Sequence, residues 1–70
     1  MKRLWMKKAR EDAGYTMKQA AEKLEVSESY YCEIENGNRQ KNMDLSLAMK
    51  LSELFSVPVK EILDMEYQSA

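Results

Sequence analysis

Histidine is missing from the 70 residues, and cysteine, proline and tryptophan occur once each, as Cys32, Pro58 and Trp5. A lone cysteine forms no internal disulfide, and without histidine the usual Cys/His tetrahedral zinc site cannot be assembled. This cysteine usage suits a reducing compartment, so a cytoplasmic location is expected. Only two glycines, Gly14 and Gly37, are present, which leaves no glycine-rich loop to cradle phosphate. Long apolar runs are lacking too. The opening Met1-Lys2-Arg3-Leu4-Trp5-Met6-Lys7-Lys8 begins basic, like a signal peptide, but its apolar run ends after three residues. Neither export nor a membrane span is therefore expected. An enzyme fails on the same inventory, because the carboxylates are scattered along the chain and the close pair Glu33 and Glu35 points to different sides of one helix. No cofactor, metal or small-molecule substrate is expected.

What remains is 44% hydrophobic and 33% charged, the balance of a helix-rich globule. A chain of this length forms one compact domain and buries only about 60% of its unfolded surface. Net charge is −1, mildly unfavourable for a nucleic-acid partner, since phosphate neutralisation supplies most non-specific affinity. The distribution tempers that objection. Met1 to Lys41 holds nine Lys/Arg against seven Asp/Glu, whereas the remainder holds two against five, as a basic contact face with an acidic back would leave it.

Apolar spacing predicts five short helices, at about 2–13, 17–24, 28–36, 45–55 and 58–63, with no stretch alternating long enough for a strand. In the first, Met6, Ala9, Arg10 and Ala13 share a face that Trp5 borders and Leu4 leaves; Gly14 stops it. Thr16-Met17-Lys18-Gln19 is a capping-box sequence for the second, whose inward side is Ala20, Ala21 and Leu24. Ser27 caps the third, with Tyr31 and Ile34 inward, Tyr30 outward, Cys32 near the outward face as an inert thiol, and Asn36-Gly37 as its end. The join between helices two and three is short. Asn38 to Met43 is a polar, basic loop. Asp44 caps the fourth helix, Ser56-Val57 breaks it, and Pro58 suits the first turn of the fifth, where Val59, Ile62 and Leu63 close the core. Residues 1–63 form the domain, and 64–70 are expected to fray as a tail.

Arg10, Gly14, Thr16, Ala21, Leu24, Val26, Ser27, Ile34-Glu35-Asn36-Gly37 and Arg39, in this order and spacing, resemble the lambda-repressor and Cro type helix-turn-helix family, also called the XRE family. The resemblance spans roughly Met6 to Leu63. It implies an all-α, compact five-helix bundle and a double-stranded DNA partner, with helix three in a major groove about 12 Å wide. The base-reading positions are then Ser27, Glu28, Ser29, Tyr30 and Glu33. Lys18, Asn36, Asn38, Arg39 and Lys41 form a phosphate clamp that fixes register. The family carries a glutamine at the phosphate-contacting position after the cap, where this chain has Met17. Met17 either touches a sugar or thymine methyl or fills a gap beside helix three. Glu28 and Glu33 either accept from cytosine N4 or obstruct binding, and Glu28 also complements the dipole of helix three. The family couples the positions of Arg10 and Glu35, so a charge-assisted pair is expected there.

In helix four, Leu45, Ala48, Leu51, Ser52 and Phe55 make an inward stripe, with Leu47 and Leu54 beyond its edge and Met49 on the other side. That surplus predicts a homodimer through the C-terminal third; coverage by helices one and five within a monomer is the alternative. The rival function is a protein-interaction module of the same fold, an antitoxin or anti-repressor, for which the acidic helix three is the evidence. The resemblance also implies a setting in phages, mobile elements or restriction-modification systems.

Overall fold

A computed structural model describes residues 2–68. Five helices follow in order, α1 (Leu4–Asp12), α2 (Met17–Leu24), α3 (Glu28–Glu35), α4 (Leu45–Phe55) and α5 (Val59–Gln68). No strand occurs among the described residues. α2 packs on α3 and α4, α4 on α5, and α1 on α3. The shared core is Met6, Ala20, Ala21, Leu24, Tyr31, Ile34, Ala48, Leu51, Phe55 and Ile62. The two alanines bring α2 close to its neighbours, so the short helix is held by packing rather than by its own length.

Capping decides most of the boundaries. Thr16 Oγ1 accepts from the Gln19 amide at 3.1 Å while Gln19 Oε1 accepts from the Thr16 amide at 2.9 Å, the reciprocal satisfaction of two orphan donors. Ser27 and Asp44 accept from the Tyr30 and Leu47 amides in the same way. At the other ends, α1, α2 and α3 each close with paired amide bonds onto their last turn. In α1, Gly14 bonds Glu11 and Tyr15 bonds Arg10; in α3, Gly37 bonds Ile34 and Asn38 bonds Glu33. Each has a left-handed residue at the reversal, Gly14 (φ 83°) and Gly37 (φ 80°), as this closure requires. The α2 end uses Glu25 (φ 60°) instead, a conformation that costs a residue with a Cβ about 1 kcal/mol or more.

Several expectations need correction. α1 begins at Leu4 rather than Lys2: Arg3 is its N-cap, with a non-helical backbone (φ −89°, ψ 80°) and its amide donating to the Glu35 carbonyl at 2.7 Å. It ends at Asp12, and Ala13 is exposed. α3 stops at Glu35, with Asn36 as its cap. Pro58 precedes α5, its carbonyl accepting the first helical bond from Ile62. The largest departure is α5 itself, which continues five residues past Leu63 to Gln68 instead of fraying. Glu66 is tied to Arg3 and to the Trp5 indole, and Met65 packs against the core. Ser69 and Ala70 of the expected tail lie outside the described residues. In α4, Leu45 is 61% exposed and does not join the inward stripe, whereas Leu47 and Leu54 are half-buried against the core.

Beneath α3 lies a buried ion pair. Arg10 Nε donates to Glu35 Oε2 at 2.7 Å, with side chains only 10% and 3% exposed; Arg10 Nη1 also donates to the Tyr15 carbonyl at 3.0 Å. The hydrogen bond that Arg10 donates to Glu35 holds the guanidinium charged beyond its ordinary range. Tyr31 is buried beside this pair, its hydroxyl close to Glu35 and Arg10 but without a well-aligned hydrogen bond among the described residues. Burial first, and then the nearby Glu35 carboxylate, push the phenol far above its usual value of 10.0. The folded state therefore keeps Tyr31 protonated at a pH where the unfolded chain ionises it. The stability tied to this group is intact below pH 10 and declines above it. In alkaline denaturant titrations, wild type should lose about 1.4 kcal/mol per pH unit more than Tyr31→Phe once pH exceeds 10. Parallel decline of the two proteins would show that Tyr31 ionises freely in the fold.

Candidate nucleic-acid interface

The three-residue join Glu25-Val26-Ser27 sets α3 across α2. Val26 donates its amide to the Ala21 carbonyl at 3.0 Å, and its half-buried side chain packs on the core. One side of α3 is thereby committed, with Tyr31, Ile34 and Glu35 buried. The opposite side faces out: Ser27, Glu28 and Ser29 lie towards solvent, while Tyr30, Cys32 and Glu33 are half-buried. Tyr30, expected on the outward side, is thus only partly exposed. Its hydroxyl accepts from Gln40 Nε2 at 3.4 Å, and the Arg39 guanidinium lies 5.9 Å from its ring centroid.

Glu33 is not a solitary carboxylate. Arg39 Nε donates to Glu33 Oε2 at 2.6 Å, and this bond holds the Arg39 cation above its ordinary range. Both groups are solvent-exposed enough for salt and water to screen them, so the pair is worth little as stability. Its consequence is geometric: a flexible carboxylate on the outward face of α3 is given one orientation, and its charge is offset locally. Glu28 has no such partner among the described residues and stands in the first turn of α3, where its charge complements the helix dipole.

The remaining expected contacts distribute unevenly around this face. Lys18, Asn38, Arg39 and Lys41 are exposed. Asn36 is half-buried, and its Nδ2 donates to Cys32 Sγ at 3.3 Å, so part of its donor capacity turns inward. Met17 is half-buried and packs against the core. Two contributors lie outside the set expected from the sequence. Gln40 (φ 54°) bridges Tyr30 to α4, its Oε1 accepting from the Asp44 amide at 3.3 Å. Arg3, 4% exposed, donates to the carbonyls of Ile34, Arg39 and Gln40. A signal for Arg3 exists only in the helix expected from residue 2, where it stands seven residues before Arg10 and would share its face. None marks Gln40. Among the described residues, no group of three or more His, Cys, Asp or Glu side chains is placed to hold a metal ion, and no helix is long and apolar enough to cross a membrane.

This arrangement, a capped two-turn helix, a three-residue turn and a second helix with one outward polar face, coincides with the family comparison. The sequence model for the helix-turn-helix family matches residues 6–62. The chain is also similar to the uncharacterized HTH-type transcriptional regulator YqaF of Bacillus subtilis (strain 168), 37% identical over 46 residues, or 66% of this chain and 60% of that protein. The match thus spans less than two thirds of that relative's length. No solved structure matches the chain. With nearly the whole bundle inside the family match, the chain belongs to the XRE-type helix-turn-helix family, all-α DNA-binding domains of the lambda-repressor kind.

Proposed function

We propose that the protein is a sequence-specific, double-stranded-DNA-binding transcriptional regulator that inserts α3 into the major groove. The observation carrying this reading is the outward face of α3, where Ser29 is exposed and Glu33 is paired with Arg39 of the following loop. A carboxylate at a DNA interface is tolerable when it accepts a hydrogen bond, for which cytosine N4 is the base-edge partner. Arg39 pre-orients Glu33 for that role and removes much of the repulsion that favours a protein-interaction module. Lys18, Asn38 and Lys41 then meet phosphates, and Ser27, Glu28 and Tyr30 flank the reading positions. Asn36 contributes through its remaining donor, and Met17 through apolar contact at the edge.

One recognition helix reads few base pairs, so two copies on half-sites about 34 Å apart are the economical arrangement. The homodimer uses the C-terminal third. Leu47 and Leu54 present their partly covered edges, while the exposed Leu45 and Met49 (61% and 54%) lie on the other side of α4.

Two measurements test this. Binding to duplexes selected from a random pool should change in sequence preference for Ser29→Ala and Glu33→Ala, by about 1–3 kcal/mol at the altered base pair. Lys41→Ala should weaken all duplexes alike and lower the salt slope by about 1. Affinity that is negligible at low salt would favour the protein-interaction module, and uniform strengthening by Glu33→Ala with unchanged preference would make the carboxylate an obstruction rather than a reader. Sedimentation should show a wild-type dimer that Leu54→Glu dissociates, because the charge enters a symmetric patch twice; a wild type that stays monomeric and binds a single half-site as well as a paired one would contradict the dimer.

A further inference from the structure

Arg3 is charged, almost fully buried at 4% exposure, and plays no part in the Arg10–Glu35 pair. Each nitrogen of its guanidinium is engaged. Nε and Nη2 fork onto the Glu66 carboxylate at 2.9 and 2.7 Å. Nη1 donates to the Ile34 carbonyl at 2.7 Å and the Arg39 carbonyl at 3.1 Å, and Nη2 also donates to the Gln40 carbonyl. The planar guanidinium, with five donors in a rigid fork, can join these acceptors in one plane, which a lysine ammonium cannot. Trp5 Nε1 donates to the same Glu66 carboxylate at 3.2 Å and holds it from a second direction.

The acceptors are what give this cluster meaning. The Ile34 carbonyl, in the last turn of α3, accepts from Arg3 as well as from the Gly37 amide, and Arg39 and Gln40 are in the loop that follows. Gln40 is held in a left-handed conformation (φ 54°) that a residue with a Cβ adopts at a cost, so the loop bends there only while something retains it. Arg3 is too deeply buried to reach a phosphate itself. We infer that Arg3, clamped by Glu66 of α5, is a positioning residue for DNA binding: it fixes the α3 end and the loop so that Asn38, Arg39 and Lys41 meet the phosphate backbone together. The inference rests on the DNA-binding reading. It makes the last turns of α5, remote from the recognition helix in sequence, a determinant of DNA affinity.

Arg3→Lys keeps the net charge but not the fork, and Glu66→Gln keeps the shape but not the counter-charge. Both are measured on the full chain for unfolding, for amide hydrogen exchange, and for affinity to random duplex over a salt series. Arg3→Lys should lose exchange protection at the Asn38 and Arg39 amides, which donate to the Glu33 carbonyl, while α2 and α4 keep theirs. Its affinity should fall about tenfold, with the slope of log K against log salt shallower by about 0.9 for each phosphate that the displaced loop fails to reach. Glu66→Gln should give a smaller change of the same kind and serves where Arg3→Lys does not fold. Simple destabilisation would lower the active fraction and leave the slope unaltered, so an unaltered slope and unaltered loop protection in folded variants overturn the positioning role alone. Wild type that binds no duplex at low salt overturns the DNA-binding reading and the positioning role with it.

Discussion

A carboxylate at the C-terminal end of a helix meets the negative end of the helix dipole, and burial deprives it of water as well. Glu35 is in that position. Arg10, reaching across from α1 at 2.7 Å, compensates both effects. The geometry has a structural result beyond its energy: α1 is bound to the last turn of α3, so α3 cannot roll about its axis without separating two buried charges. An apolar pair of equal volume would fill the same space, often with no loss of stability, but would not prescribe one orientation in this way.

The end of α3 is fastened a second time by Arg3, whose amide donates to Glu35 and whose side chain donates to Ile34 and to the loop beyond. Two arginines on one face of the chain's first segment thus satisfy the carbonyls and the carboxylate at the place where the helix gives way to the loop that carries Asn38, Arg39 and Lys41. The outward face carries the reverse economy. Glu33 and Arg39 are paired in solvent, where the pair contributes little to folding and is free to exchange partners.

Features decided by local chemistry are legible in the sequence. The Thr16–Gln19 capping box, the Ser27 and Asp44 caps, the glycine reversals at 14 and 37, and the inward Tyr31 and Ile34 all follow from spacing and cap residues. The Arg10–Glu35 pair becomes visible only through the family resemblance. Features decided by distant partners escape. Glu66 and Tyr67 look like a polar end to α5, and only a guanidinium 63 positions away in sequence explains why the helix continues past Leu63. The spacing of Leu45 fits the inward stripe, but it stands in the first turn of α4, where no neighbouring helix covers it. Met49 does lie off the stripe, as its spacing implies. The left-handed Glu25 and Gln40 have no marker at all, since neither residue type favours that conformation.

The orientation of α3 depends most on the buried pair that couples it to α1. A double-mutant cycle of Arg10→Met and Glu35→Gln, followed by urea unfolding, measures that coupling directly. Each single substitution should cost about 3–5 kcal/mol by stranding a buried partner, and the double mutant much less than their sum. Additive losses would mean that the two side chains do not act on each other, and that something else sets the orientation of α3.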